Sequence, residues 1–156
     1  MSKGKVQYRV QRAKTGEWET HSADNLRTNV GINQQALQMG SGYDGAAAGS
    51  LYKQIAITQN TDAPASADTN LIGEVAADGL SRKTATYSHT ADASSYTQTA
   101  SWQNTGSTYT IAKAALCTQL TDADASADTH FAMTALSPVA VLDSNDTLEI
   151  AWGIFF

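Results

Sequence analysis

The sequence predicts a mainly β protein, an antiparallel β-sandwich or jelly roll that carries an N-terminal hairpin and one short helix. Three observations lead there. Apolar and polar residues alternate with period two over several long runs, most clearly at Leu148, Ile150, Trp152, Ile154 and Phe156. Such runs are separated by clusters of Asp, Asn, Ser, Gly and Pro, the residues that build turns. Hydrophobic residues make up 42% of the 156 and charged residues only 16%, a weakly charged chain with enough apolar surface for one core and too little net charge for disorder. No apolar stretch approaches the ~20 residues of a membrane-spanning helix, and the polar, basic first 20 residues contain no export-signal core.

The elements follow in order. Val6, Tyr8 and Val10 alternate with Lys5, Gln7, Arg9 and Gln11, which predicts a half-buried strand. Lys14-Thr15-Gly16 supplies a turn, and Trp18 with Thr20 begins a return strand, so residues 1–23 form a basic hairpin arm. Residues 24–50 are read as a helix and a connector. Asp24 is placed to cap, Leu26, Val30, Asn33 and Leu37 share a face, Gly31 weakens the helix, Gly40 ends it, and GSGYDGAAAGS follows. The sandwich occupies residues 51–156, with strand-like runs at 51–59, 83–90, 95–103, 108–118, 129–136 and 146–156. Alternation assigns Trp102, Trp152, Ile150 and Ile154 to the core. One repeat stands out: Thr58–Thr69 and Thr118–Thr129 are identical at ten of twelve positions, and each follows an apolar strand. They are read as equivalent connections in two halves of a pseudo-symmetric sandwich.

Candidate chemistry is sparse. The lone Cys117 reads as a small buried hydrophobe in a reducing compartment. Asp62, Asp68, Asp122, Asp124 and Asp128 offer loop oxygens to a cation, but without the EF-hand glycine and terminal glutamate, so turn formation is the expected role and no metal is assigned. His21, His89 and His130 have no zinc-ligand spacing, and Asn145-Asp146-Thr147 is read as a turn. No nucleophile motif, phosphate loop or dinucleotide fingerprint occurs, so neither catalytic residue nor cofactor is assigned. The formal charge of −5 is polarised: Lys3, Lys5, Arg9, Arg12 and Lys14 precede any acid, whereas six acids and no lysine or arginine follow Lys113. The basic segment fits an acidic protein surface better than nucleic acid, because the rest of the chain is acidic and lacks a basic-aromatic cluster; a plain solvated hairpin is the alternative.

From Asn25 onwards a series of short motifs can be read. These are Asn25-Leu26-x-Thr28-Asn29-x-Gly31, Ile55-Ala-Ile-Thr58, Ala63-Pro-Ala65, Asp68-Thr69, Leu71-x-Gly73-Glu74 and Gly79-Leu80-x-Arg82. Tyr87-x-His89-Thr90, Thr105-Gly-Ser107, Ser137-Pro-Val139, Asp146-Thr-Leu148 and Trp152 complete the series. Their order and spacing resemble those of small structural proteins of tailed bacteriophages. The resemblance implies a β-sandwich virion component and no catalytic residues, with a decoration (cement) protein on the capsid exterior as its first form, made in the host cytoplasm. On that reading Lys3, Lys5, Arg9, Arg12 and Lys14 dock on the major capsid protein. Phe155 and Phe156 lie at a homo-oligomer interface, a trimer being preferred, and no membrane is involved. Two other readings stay open: a tail, neck or fibre component, and a carbohydrate-binding module in which Trp18, Trp102 and the tyrosines stack on sugar rings.

Overall fold

The computed structural model describes residues 4–29, 31, 52–118 and 130–155. Ten strands are found among them: β1 (Lys5–Gln11), β2 (Trp18–Asp24), β3 (Leu26–Arg27), β4 (Gln54–Thr58), β5 (Lys83–Thr84), β6 (Thr86–His89), β7 (Ser95–Gln103), β8 (Tyr109–Cys117), β9 (His130–Leu142) and β10 (Thr147–Phe155). They form two antiparallel five-stranded sheets, ordered β2-β1-β10-β7-β6 and β3-β9-β8-β4-β5. The protein is therefore mainly β.

The first sheet keeps the alternation seen in the sequence. Val6, Tyr8 and Val10 of β1, Ala100 and Trp102 of β7, and Leu148, Ile150, Trp152 and Ile154 of β10 all enter one hydrophobic cluster. From the second sheet Ile55, Ile57, Ile111, Ala114, Leu116, Phe131 and Leu142 join the same cluster. Here the alternation is lost, because β4 and β8 are buried on both faces. Their second face, Ala56, Ala115 and Cys117, forms a smaller cluster with Met133 and with Leu71 of the β4–β5 connection. This explains why β8 is apolar on both faces from Ile111 to Cys117 apart from Lys113.

Both pairs of sheet edges are joined by the chain itself. One residue, Asn25, separates β2 at an edge of the first sheet from β3 at an edge of the second. On the opposite side Ala85 alone separates β5 from β6, and its amide donates to the Lys53 carbonyl at 2.6 Å. Strands that switch sheets make the corners of such folds. The sequence run 83–90 is thus two strands in two sheets.

Four expectations need correction. The hairpin forms, but it is not a separate arm: β1 lies between β2 and β10, paired with β10 from Lys5↔Gly153 to Gln11↔Thr147. The helix does not begin at Asp24, since Asp24 ends β2 and Leu26 pairs with Met133. A cap-type bond appears instead at Thr28, whose Oγ1 accepts the Gly31 amide at 3.0 Å, and the rest of the expected helix lies outside the described residues. Gly31 is required for close packing, because a Cβ there would overlap the Phe131 carbonyl. Strand β9 runs past its expected end at Leu136. A register break opposite Ala112 accommodates residues 136–139, and pairing resumes at Ala140↔Ile111. Finally, at the 60-residue offset of the repeat the strands that lead into its two copies present opposite faces to the core. Ile55 and Ile57 face the main cluster, whereas their counterparts Ala115 and Cys117 face the smaller one. The second copy, with Asp122, Asp124 and Asp128, lies outside the described residues.

Candidate functional site

The hairpin cations are largely engaged inside the molecule. Arg9 Nε donates to Glu149 Oε1 at 2.8 Å, across the register pair Arg9↔Glu149, and its guanidinium lies 4.2 Å from the Trp18 ring centroid. Arg12 grips Glu19 through Nε and Nη2 at 3.1 and 3.0 Å, and its Nη1 donates to Asp146 Oδ2 at 2.9 Å and to the Val141 carbonyl at 2.7 Å. Both carboxylates raise the Arg12 pKa above its ordinary value, although burial works against them. The same bonds hold exposed Glu19 below the usual carboxylate range. Burial pushes Asp146 up, but the Ala13 amide, the Arg12 guanidinium and the Asp143 amide outweigh it and leave the carboxyl below its ordinary value. Arg12 therefore ties the β1–β2 turn to the β9–β10 turn. Lys5 and Lys14 are exposed, and Lys3 lies outside the described residues.

Trp102, Trp152, Ile150 and Ile154 are buried. Trp102 Nε1 donates to the Ser81 carbonyl at 2.7 Å, whereas Trp152 Nε1 is buried without a hydrogen-bond partner among the described residues. Phe155 is 39% exposed at the end of β10, opposite Ser95; Phe156 lies outside the described residues. Cys117 is buried, with Sγ 3.4 Å from the Gln54 carbonyl oxygen. Asp68 accepts the Ala65 amide at 2.8 Å, and the Asp62 carbonyl accepts from Lys113 Nζ at 2.8 Å. These are turn and loop bonds. The histidines are dispersed: His21 packs on Tyr8, His89 Nδ1 meets the Ser95 carbonyl, and His130 Nδ1 meets the Thr69 carbonyl. Among the described residues no group of three metal-binding side chains occurs.

One concave site brings together tyrosines that the sequence offers as stacking residues without indicating which of them converge. At the β5–β6 corner a groove of about 470 Å³ is lined by Tyr52, Lys53, Thr84, Tyr87, Tyr96 and Gln98. The register pairs Tyr87↔Gln98 and His89↔Tyr96 put these side chains on the face of the first sheet that also carries Ala100 and Trp102. The groove is thus the mouth between the sheets, where β6 continues past the cover of β5. Tyr87 is 61% exposed, its ring centroid 5.3 Å from that of Tyr96. Tyr52 packs on Phe131 at 4.9 Å, and its carbonyl accepts Gln98 Nε2 at 2.6 Å. Of the sugar-stacking candidates read from the sequence, Trp102 is buried and Trp18 already faces Arg9. The only local signal at the mouth was the polar company of its tyrosines, which does not distinguish a site from an exposed strand.

No protein-family model, curated protein or solved structure matches this chain.

Proposed function

We propose that the chain is a non-enzymatic structural component of a tailed-bacteriophage virion, a decoration protein that binds the outer surface of the major capsid protein and stabilises the head. One observation supports this above the rest: the residues that carry the motif resemblance are joints of the framework. Glu74 and Arg82 form a two-pronged ion pair, at 2.8 and 2.6 Å, with side chains only 8% and 2% exposed. Thr58 Oγ1 meets the Ile72 and Gly73 carbonyls at 2.8 and 2.7 Å and so holds the long connection against β4. The Pro138 carbonyl accepts the Tyr8 hydroxyl, Asp146 anchors Arg12, and Trp152 fills the core. A motif set spent on rigidity suits a part that is assembled and then bears load.

We read the two sheets as a β-sandwich. In it β10 lies between β1 and β7, so the last strand pairs with the first. Docking falls to Lys5 and Lys14, because Arg9 and Arg12 serve internal pairs. Homo-oligomer contact, with a trimer preferred, is assigned to the β10 end, where Phe155 is exposed.

Pelleting heads assembled without the protein, after mixing with the purified chain, tests this. Saturable binding to heads and not to isolated tails is expected, weakened by Lys5→Glu with Lys14→Glu most strongly at low salt. Absence of binding to heads would overturn the reading.

A further inference from the structure

We propose that the mouth at the β5–β6 corner is a saccharide-binding site whose stacking platform is Tyr87. This goes beyond the virion reading and is independent of it. A sugar ring presents one apolar C–H face and a rim of hydroxyls, so its receptor needs an exposed aromatic face beside hydrogen-bonding groups. Tyr87 is the most exposed large hydrophobic side chain described, and Tyr96 stands tilted by 42° beside it, forming an angled wall rather than a flat patch. Three residues that carry polar groups, Thr84, Lys53 and Gln98, line the groove with them. Gln98 is 6% exposed and fixed by its bond to the Tyr52 carbonyl. A preset amide of this kind binds without the cost of ordering it. The volume of about 470 Å³ falls within the range of small-molecule sites. Among the described residues no carboxylate lines the groove, although the chain carries a net charge of −5, and Lys53 is the charged residue in its lining.

The test is backbone-amide NMR of the full chain, titrated with oligomers of glucose, galactose, N-acetylglucosamine and galacturonic acid. At least one probe is expected to give saturable shifts confined to residues 52–53 and 84–98. Tyr87→Ala should weaken it at least tenfold, while Tyr87→Phe, which keeps the ring, binds within about twofold. Because Tyr87 is exposed, both variants should melt close to the parent, and a matching melt establishes that the fold is intact. No shift at these residues with any probe, or equal binding by Tyr87→Ala, would overturn the proposal.

Discussion

At the residue scale, the joints are held by groups whose removal has predictable direction. Arg82→Met leaves the Glu74 carboxylate buried and unpaired, and should cost about 3–5 kcal/mol in urea unfolding. Gly79 has φ 79°, and a Cβ there would overlap the Gln103 carbonyl, so Gly79→Ala should destabilise while Gly16→Ala, in open space, costs less. Asp146 gives a pH signature. Its folded pKa lies below its unfolded value of about 4, so its stabilising contribution is complete above that value and disappears as pH falls through the folded one. The stability gap between the parent and Asp146→Asn should therefore be constant above about pH 5 and shrink below about pH 4; melting curves that stay parallel down to pH 2 would assign the stability elsewhere. The two tryptophans differ as well. Trp102→Phe loses volume and the bond to Ser81, Trp152→Phe loses volume alone, and the first should cost about 1 kcal/mol more.

At the element scale, the hairpin provides the sharpest contrast between sequence and structure. A detachable arm predicts that residues 24–156 fold alone. An inner strand, with Val6, Tyr8 and Val10 in the core, predicts that deleting residues 1–23 abolishes cooperative unfolding. Circular dichroism with a urea titration decides between them. Period-two alternation located the sheet strands well because it depends only on which face meets the core. It was silent wherever partners are remote in sequence. Arg9 and Arg12 read as free cations because Glu149 and Asp146 lie at the far end of the chain, brought near by the β1–β10 pairing. The tyrosine mouth stayed hidden for a related reason: it exists only because the chain changes sheet at Ala85, and nothing local marks that alanine as a corner. Asp24 reads as a helix cap because a polar residue shortly before an apolar one fits a cap and a strand end alike.

At the scale of the whole molecule, two sheets share one core and both edge pairs are bridged by the chain, at Asn25 and at Ala85. The Tyr8–Pro138 bond adds a cross-tie between distant segments, and the Arg82–Glu74 pair ties the β4–β5 connection to itself. Such construction limits edge-to-edge pairing and leaves surface cations, an exposed terminal aromatic and the tyrosine mouth as the features available to partners. On the proposed reading this framework serves as a repeated part of a phage head. Quantitative mass spectrometry of purified virions, scaled to the major capsid protein, tests it most directly. A fixed ratio of about one copy per capsid subunit or per capsomer is the predicted result, whereas a dozen copies or fewer, or none, would contradict it.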